Sequence, residues 1–405
     1  MGTDGGRARG ALARYTAGAV LVRLADEGAR VALVLLAVER TGSAGYGGLL
    51  VAALMVPHVL AGPVVGAIAD TVRRRRLCYC LTLLGYGGAL LAAVLSAAVS
   101  RPLSVALVVL AGCLAPIMLG GLTSLLRDLA PDRLDTAFGL DATSYNLAGI
   151  AGPAIAAVTA GPAGATAATV VLVALVAVGT LVLSTLPIRD RPARVHRHGA
   201  AGRRAPLGAV PLLWRRPRLG AVTLASSVGY LGVGALPVVA ALLAARFHHT
   251  AYTGLFLAAA SLGGLAGSLW YARFPIRSRP PERVVLASLL VMAVPFALVP
   301  LAPSVWVTLP LFVLVGVLNG PLFCAVLAVR DQEAPPAAHT QVFTIGAGLK
   351  TTSAAAGSAL AGAVTGAGVG VLLLGIAACQ ALGAVAGAAV LATPRRRQPV
   401  GAGGR

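Results

Sequence analysis

The sequence predicts an all-α membrane protein with twelve transmembrane helices, arranged as two six-helix bundles related by a parallel pseudo-two-fold repeat. Three observations predict this fold. The 405-residue chain is 58% hydrophobic and only 11% charged, whereas soluble domains carry roughly 25% charged residues. Apolar runs of about 20 residues, each long enough to cross a bilayer core, recur from end to end. The second half of the chain also repeats short patterns of the first half in the same order.

The apolar runs place six helices in each half of the chain. We predict the first six at 15–38, 44–69, 77–99, 103–127, 136–160 and 165–187. We predict the second six at 220–245, 251–273, 283–301, 305–329, 339–364 and 369–392. The predicted domains are therefore an N-terminal bundle (1–187), an arginine-rich cytoplasmic linker (188–219), a C-terminal bundle (220–393) and a cytoplasmic tail (394–405).

The basic residues indicate how the chain is oriented in the membrane. Much of the net charge of +20 comes from arginine clusters between apolar runs, such as residues 73–76, 215–218 and 395–397. With a cytoplasmic N-terminus, 27 of the 33 basic residues fall on the cytoplasmic side, as the positive-inside rule requires. We therefore predict a plasma-membrane protein with both termini in the cytoplasm. Such clusters fit anionic lipid headgroups and argue against a nucleic-acid partner.

An internal repeat supports the division into two bundles. The segment that begins at Ala137 matches the segment that begins at Val342 with a fixed offset of 205, which aligns Tyr145 with Lys350. Two glycines of the second helix align in the same way with two glycines of the eighth helix, at an offset of 201. Parallel repeats are typical of secondary transporters, whose binding site lies near the bilayer midplane between the halves. The repeat therefore predicts a transporter.

The segment GAIADTVRRRR, at residues 66–76, combines a glycine, a carboxylate and four arginines between the second and third predicted helices. Gly66 allows two helices to approach closely. The carboxylate of Asp70 can face a helix N-terminus or an arginine. Asp128, at the end of the fourth helix, is a candidate partner for an arginine. The alternative interpretation is a basic membrane anchor next to a helix-capping aspartate.

The fifth helix carries small residues and a proline that predict close helix packing. Gly139, Gly152 and Pro153 lie in the segment GLDATSYNLAGIAGPAIAA. Small side chains let this helix approach a partner closely, and a proline removes one backbone hydrogen bond and permits a bend. Because glycine and alanine are frequent throughout the chain, ordinary packing is the alternative explanation.

These two motifs resemble those of the major facilitator superfamily, and of its drug-efflux branch in particular. The first is similar to the family pattern G-x-L-A-D-R-x-G-R-[RK], although residue 73 is arginine where the family has glycine. The second is similar to the pattern G-x8-G-x3-G-P-x2-G-G of drug–proton antiporters, with alanine at several glycine positions. The resemblance covers essentially the whole chain. It implies export and a cytoplasmic gate, for which Gly66, Asp70, Arg74, Arg75 and Asp128 are the candidate residues. One departure is that the fourth helix has no charge before Arg127, whereas efflux families carry an arginine inside this helix.

Four charged residues share one face of the first helix, about halfway through the span. Arg23, Asp26, Glu27 and Arg30 have the relative spacing 0, 3, 4 and 7, which places them on one helical stripe. Because charges at this depth are costly, we expect them to face a cavity, with each arginine paired to Asp26 or Glu27. Adjacent carboxylates repel each other, so one of them can hold an exchangeable proton. Asp26 is the first candidate and Glu27 the second; a purely structural cluster is the alternative.

Lys350 is the only lysine of the chain, and it lies near the middle of the eleventh predicted helix. A desolvated lysine can lose its proton, whereas arginine cannot. We expect Lys350 to face the cavity, either as a counter-charge to Asp26, Glu27 or Asp141 or as a binding group for an anionic substrate. Asp141 in the fifth helix is a further candidate for proton coupling. The alternative for Lys350 is a side chain that extends toward the cytoplasm.

Other polar residues inside the predicted helices are candidates for lining the substrate cavity. They are Tyr145, Asn146, Tyr230, Asn319, Gln380 and His58. Any of them can instead bond to the backbone or to another helix. The sequence has no phosphate-binding loop, and its five cysteines lack the spacing of a metal site. We therefore predict no cofactor, no metal and no enzymatic activity.

The sequence thus predicts proton-coupled export of a small organic molecule by alternating access. The expected partners are the substrate, protons and membrane lipids, and the expected state is a monomer. The alternatives are a metabolite importer of the same fold, working as a symporter or uniporter, and a polytopic membrane protein without transport activity. The charge of the substrate stays open, because the buried carboxylates suit a cation whereas Lys350 suits an anion.

Overall fold

The computed structural model describes residues 2–188, 190, 210–249 and 252–393, and the regular elements of this part of the chain are all helices. The first half contains α1 (Gly2–Thr41), α2 (Ala44–Thr71), α3 (Arg75–Ser96), α4 (Arg101–Leu114), α5 (Gly120–Thr123), α6 (Leu126–Leu129) and α7 (Leu134–Ser184). The second half contains α8 (Val210–Arg215), α9 (Pro217–Val233), α10 (Leu236–Arg246), α11 (Tyr252–Arg273), α12 (Pro281–Leu298), α13 (Val305–Glu333), α14 (His339–Ala363) and α15 (Val369–Ala392). Most of the predicted linker and the whole predicted tail, 394–405, lie outside the described residues.

The described helices make this chain a multi-pass membrane protein. Nine segments within the described ranges are long and apolar enough to cross a membrane. Two long helices, α1 and α14, are not among the nine, because charged residues interrupt α1 and because α14 is rich in glycine, serine and threonine. Large apolar side chains such as Leu60 and Leu181 are exposed on the outer surface, as expected where a protein meets lipid.

Two of the predicted helices are divided in the structure. The predicted fourth helix ends as α4 at Leu114 and continues through a 3-10 turn into α5 and α6. Pro116 lies in that turn and lacks the backbone N–H that a continuous helix would need. The predicted seventh helix is divided into α9 and α10 next to Gly234. Gly234 lies directly against the backbone of Ala354 in α14, where any side chain would collide.

α7 comprises the predicted fifth and sixth helices, which meet at a kink. Gly164 at the kink has a φ of 81°, a conformation that glycine adopts without strain. The backbone N–H of Ala165 donates a hydrogen bond to Oε2 of Glu39 at 2.8 Å. The carboxylate near the end of α1 thus caps the second part of α7. The kink lies between residues 160 and 165, where the sequence predicts the loop between these helices.

The buried apolar residues form two large clusters that follow the two halves of the chain. One cluster consists mostly of residues of α1 to α7, and the other lies entirely between Val222 and Ala384. In the first half α1 packs along α7; in the second half α11 packs against α13, and α9 packs against α15. The halves meet where α2 lies along α14 and where α7 lies along α11. This arrangement leaves the space between the halves for a central site.

The glycines of the predicted fifth helix provide close helix contacts. A side chain at Gly152 would place its Cβ 2.6 Å from the backbone oxygen of Leu24, and Gly28 faces Gly152 from α1. Gly139 lies equally close to Ala272 of α11, on the other half of the protein. The first part of α7 can therefore approach both helices closely because it carries glycine at these positions.

Candidate functional site

A cavity of about 250 Å³ lies between the two halves of the protein. Its wall is formed by side chains of α1, α2, α5, α7, α13 and α14. Most of this wall is apolar or aromatic, through Met55, Leu119, Tyr145, Phe323, Leu327 and Phe343. The charged residues that line it are Glu27, Arg30, Arg330 and Lys350. A concave, mainly apolar site with a few charged groups is typical of a small-molecule binding site.

Glu27 and Arg30 form an ion pair on the α1 side of the cavity, with Nη1 of Arg30 2.8 Å from Oε2 of Glu27. Arg30 also lies 3.3 Å from Oδ2 of Asp26, so its predicted pairing with both carboxylates is found. Asp26 does not line the cavity: it is 2% exposed and accepts a hydrogen bond from the hydroxyl of Tyr86. Of the two adjacent carboxylates, Glu27 is therefore the one on the cavity wall.

Arg23 pairs with Asp141 of α7, and the predicted pairing with Asp26 or Glu27 is wrong. Nη1 of Arg23 lies 2.7 Å from Oδ1 of Asp141, and both side chains are buried. Arg23 also donates to Ser144 and to the backbone oxygen of Met118. Its long side chain leaves the stripe of α1 because α7 and the segment that leads into α5 together offer acceptors for its donors.

Asp141 lies behind the cavity wall as the centre of a buried network. Its two carboxylate oxygens accept hydrogen bonds from Tyr15 at 2.6 Å, from Thr123 at 2.7 Å and from Arg23. Tyr145 covers the guanidinium of Arg23, with the carbon of that group 3.7 Å from the ring centre. Because Tyr145 and Thr123 also line the cavity, this network touches the site through two side chains.

Lys350 faces the cavity among aromatic rings. Its Nζ lies 4.2 Å from the ring centre of Phe323, 4.7 Å from that of Tyr230 and 5.6 Å from that of Tyr145. No carboxylate of the described residues lies within 4.0 Å of it, although Glu27 lines the same cavity. The predicted counter-charge role is thus not realised as a direct ion pair, whereas the predicted position on the cavity wall is found.

Arg330 is a cavity residue that the sequence did not predict. The predicted tenth helix ends at 329, which places Arg330 in a cytoplasmic loop, whereas α13 continues to Glu333. Arg330 is only 4% exposed, lines the cavity and donates to the backbone oxygen of Gly346 at 3.3 Å. The prolines that follow at 335 and 336 were the available signal, because a helix commonly continues until shortly before a proline.

The remaining cavity candidates differ in their positions. Tyr145 lines the cavity, and Tyr230 contacts Lys350 through its ring. Gln380 instead donates to the backbone of Gly229 at 2.8 Å and thereby joins α15 to α9. Five of the six candidates are therefore absent from the cavity lining: Asn146, Tyr230, Asn319, Gln380 and the buried His58. Asn146 instead donates to the backbone oxygen of Ala142.

The carboxylate of Asp70 caps the N-terminus of α14. It accepts hydrogen bonds from the backbone N–H groups of Thr340 at 3.0 Å and of Gln341 at 2.9 Å. A helix N-terminus attracts negative charge, so this contact joins α2 to the second half of the protein favourably. Gly66, one turn earlier, lies so close to Gln341 that a Cβ would be 2.6 Å from its Cα. We call these four residues the α2–α14 latch.

Further polar contacts join the two halves near the latch. Arg127 donates to the backbone oxygen of Asp331 at 3.0 Å, and Arg277 pairs with Asp135 at 2.9 Å. Within the first half, Arg75 pairs with Asp128, as predicted, while Arg74 is exposed. The end of the protein that carries the α2–α14 latch is therefore closed by several contacts between the halves.

The fold and this site define a class: a polytopic helical membrane protein with a charged central cavity between two halves, as in secondary transporters. Residues 15–358 match the Major Facilitator Superfamily, and the chain belongs to this family. It is accordingly a transporter and not an enzyme. None of the curated proteins compared with the chain matches it in sequence.

Solved structures of other transporters have the same fold. The human organic anion transporter MFSD10 (TETRAN) has a TM-score of 0.73 at 17% identity, over 95% of this chain and 98% of that chain. A bacterial homologue of the iron transporter ferroportin, in the outward-facing state, has a TM-score of 0.72 at 15% identity, over 95% and 100% of the two chains. The E. coli fucose:proton symporter FucP has a TM-score of 0.71 at 14% identity, over 94% and 98%. Identities this low show a common fold and leave the substrate open.

Proposed function

We propose that this protein exports a small organic molecule in exchange for protons, by alternating access to the central cavity. The observation that carries the proposal is a cavity with charged walls between two halves that are joined at one end by the α2–α14 latch. Opening one end while the other is closed requires contacts of this kind, which can form and break as a group. We further propose a plasma-membrane location, cytoplasmic termini and a monomer.

Twelve membrane-spanning helices in two like-oriented bundles are part of the proposal. Among the nine candidate spans, residues 131–184 are counted as a single span, although the kink at Gly164 divides this segment into two helices. Dividing it there, and adding α1 and α14, gives twelve. The repeat in the sequence, which aligns the fifth with the eleventh predicted helix, supports grouping them as six and six.

We propose Glu27 as the proton-carrying group, in preference to Asp26. Glu27 lines the cavity and shares Arg30 with Asp26. Protonation of Glu27 would leave Arg30 paired with Asp26 alone, so the charge of the wall would change by one unit without leaving Arg30 unpaired. Asp26 lacks this access because it lies behind the wall.

Export is favoured by the fifth-helix glycines, which resemble the pattern of drug–proton antiporters and which form close contacts at Gly139 and Gly152. A metabolite importer of the same fold is the second candidate. It is favoured by the absence of a charged residue before Arg127 in the fourth predicted helix, where efflux families carry an arginine. The two candidates differ in the direction of substrate movement relative to protons.

The proposal is tested by proton movement in proteoliposomes that contain a pH-sensitive dye. The compound to be added is identified beforehand, as one to which a strain that lacks the protein is more sensitive than its parent strain. We expect the compound to drive proton flow in the opposite direction to its own movement. The Glu27→Gln variant is expected to reduce this flow at least tenfold, because it removes the exchangeable proton.

The matched control is Arg133→Gln, which alters an exposed side chain with no side-chain contact to the cavity. It is expected to retain proton flow. Movement of compound and protons in the same direction would support the importer instead. Compound movement that is independent of any pH difference would contradict proton coupling.

A further inference from the structure

The cavity holds more positive than negative groups. Three cationic side chains, Arg30, Arg330 and Lys350, line it together with one carboxylate, Glu27. The carboxylate of Asp26 behind the wall also pairs with Arg30, so two acidic groups face three basic ones. Arg30 takes part in both ion pairs. Arg30 and its two carboxylates together carry one negative charge, whereas Arg330 and Lys350 carry two positive charges, which leaves one net positive charge.

Lys350 has aromatic faces around it in place of a counter-ion. The rings of Phe323 and Tyr230 lie 4.2 and 4.7 Å from Nζ, at the distance of cation–π contacts. Such contacts can stabilise an ammonium group in an apolar site but do not cancel its charge. Within the described residues, no acidic side chain forms an ion pair with Lys350. An anion in the cavity would provide the counter-charge that the ammonium group of Lys350 lacks.

Arg330 also lacks an acidic partner among the described residues. Its Nη2 donates to the backbone oxygen of Gly346, and its Nε has no hydrogen-bond partner although the residue is 4% exposed. A buried guanidinium with an unused donor is costly unless an acceptor fills the place. Because Arg330 lines the cavity, a ligand there can contact its side chain and supply negative charge.

Lys350 and Arg330 line the same cavity, and Arg330 contacts the turn of α14 next to Lys350. Gly346, which holds Arg330, and Lys350 are four residues apart on α14, which corresponds to one helical turn or about 6 Å. A carboxylate has two oxygens and can accept hydrogen bonds from two separate donors. The rest of the wall, through Phe323, Leu327 and Phe343, is apolar and suits an apolar or aromatic body.

We propose that the cavity binds a small organic anion whose carboxylate lies between Lys350 and Arg330 and whose apolar body contacts Phe323 and Phe343. This inference rests on the proposed function in taking the cavity as the transport site. It adds the chemical class of the substrate. Export, import and proton coupling do not enter it, so binding can be measured apart from them.

Ligand-dependent thermal stability of the purified full chain in detergent tests the proposal. The probes are benzoate, naphthoate and octanoate, each compared with its own uncharged primary amide, which has nearly the same shape. We expect at least one carboxylate to stabilise the protein at a concentration at least tenfold below that of its amide. Lys350→Met and Arg330→Met are each expected to weaken carboxylate binding about tenfold or more, because they leave the ligand charge unpaired.

Variants that preserve the positive charge distinguish a loss of binding from a loss of folding. Lys350→Arg and Arg330→Lys are expected to retain the preference for the carboxylate over the amide, and the exposed-site variant Arg133→Gln is expected to bind like the unaltered protein. Equal stabilisation by carboxylates and amides in all three pairs, or none by either, overturns the proposal. A carboxylate preference without proton flow in proteoliposomes would overturn the proton coupling alone.

Discussion

At the scale of single residues, the buried pair of Arg23 and Asp141 shows why charges can lie deep in this protein. Each has a charged partner at 2.7 Å, and the remaining donors and acceptors are used by Ser144, Thr123 and Tyr15. A buried charge is tolerated when it is paired and fully hydrogen-bonded. The pair also joins α1 to the first part of α7. It lies directly behind the cavity wall, where Arg23 contacts Tyr145.

We predict that removing one member of this pair is much more costly than removing a cavity arginine. Asp141→Leu leaves Arg23 buried without a counter-charge, which should destabilise the protein by about 3–5 kcal/mol. The double variant Arg23→Met with Asp141→Leu should recover most of that loss. Unfolding in detergent, followed by circular dichroism, measures both effects.

The comparison variant for this prediction is Arg30→Met, because Arg30 lines the cavity and its side chain is 28% exposed. It should cost less stability than Asp141→Leu. A double variant that is no more stable than Asp141→Leu alone would contradict the explanation from an unpaired charge.

Residue spacing predicts part of this site and fails for the rest for a specific reason. The spacing of Asp26, Glu27 and Arg30 correctly predicts that Arg30 pairs with both carboxylates, because that depends on α1 alone. It does not predict that Arg23 bonds to Asp141, because this choice depends on how α7 lies against α1. The depth of Lys350 also depends on its own helix and is predictable, whereas its aromatic neighbours come from three other helix segments and are not.

At the scale of helices, glycines determine how closely α1 and α7 can approach. Gly28 and Gly152 face each other, and a Cβ added at either would lie less than 3 Å from the backbone of the other helix. Gly149 is only one turn away on α7, yet a Cβ added there would meet nothing within 4 Å. Two glycines of the same helix therefore have opposite sensitivity to substitution.

We predict that Gly152→Ala destabilises the protein and that Gly149→Ala does not. The added methyl at residue 152 meets the backbone oxygen of Leu24 at 2.6 Å, so the two helices must separate. Separation removes packing along α1, and a loss of about 1–3 kcal/mol is expected. Thermal unfolding of both variants in the same detergent measures the difference; equal effects would show that the contact does not limit the helix spacing.

The positions of the helices were predictable from the sequence, because each helix depends on a local apolar run. The interruptions within helices were not predictable in this way. The two parts of α7 and the helices α11 and α15 follow the predicted runs closely. The break at Gly234 depends on contact with Ala354, more than one hundred residues away in the chain. The break at Pro116 had a local signal, but proline also occurs within continuous helices here, as Pro153 does in α7.

At the scale of the whole molecule, the contacts between the halves are concentrated at one end. The α2–α14 latch, the bond from Arg127 to Asp331 and the pair of Arg277 with Asp135 all lie there. Cys324 in α13 is buried at the same boundary, with Sγ 3.6 Å from the backbone oxygen of Phe138 in α7. A native thiol is thus available to report separation of the halves.

We predict that Asp70→Asn increases the labelling of Cys324 by a maleimide reagent. Loss of the negative charge at the N-terminus of α14 costs about 1 kcal/mol, which changes the population of the separated state roughly fivefold. The measurement uses a chain in which the other four cysteines, Cys78, Cys80, Cys113 and Cys379, are replaced by alanine. The rate of labelling is compared with that of Asp132→Asn, an exposed aspartate. Equal rates in the two variants would contradict a role of Asp70 in holding the halves together.

The position of Asp70 against α14 has a mechanical consequence. α14 carries the latch partners Thr340 and Gln341 at its first turn and Lys350 nine residues later, about 14 Å along one helix axis. No proline interrupts it within its described span. If α14 moves along its axis as one rigid helix when Lys350 binds a ligand, its first turn moves away from Asp70 as well, so we expect binding in the cavity to weaken the α2–α14 latch.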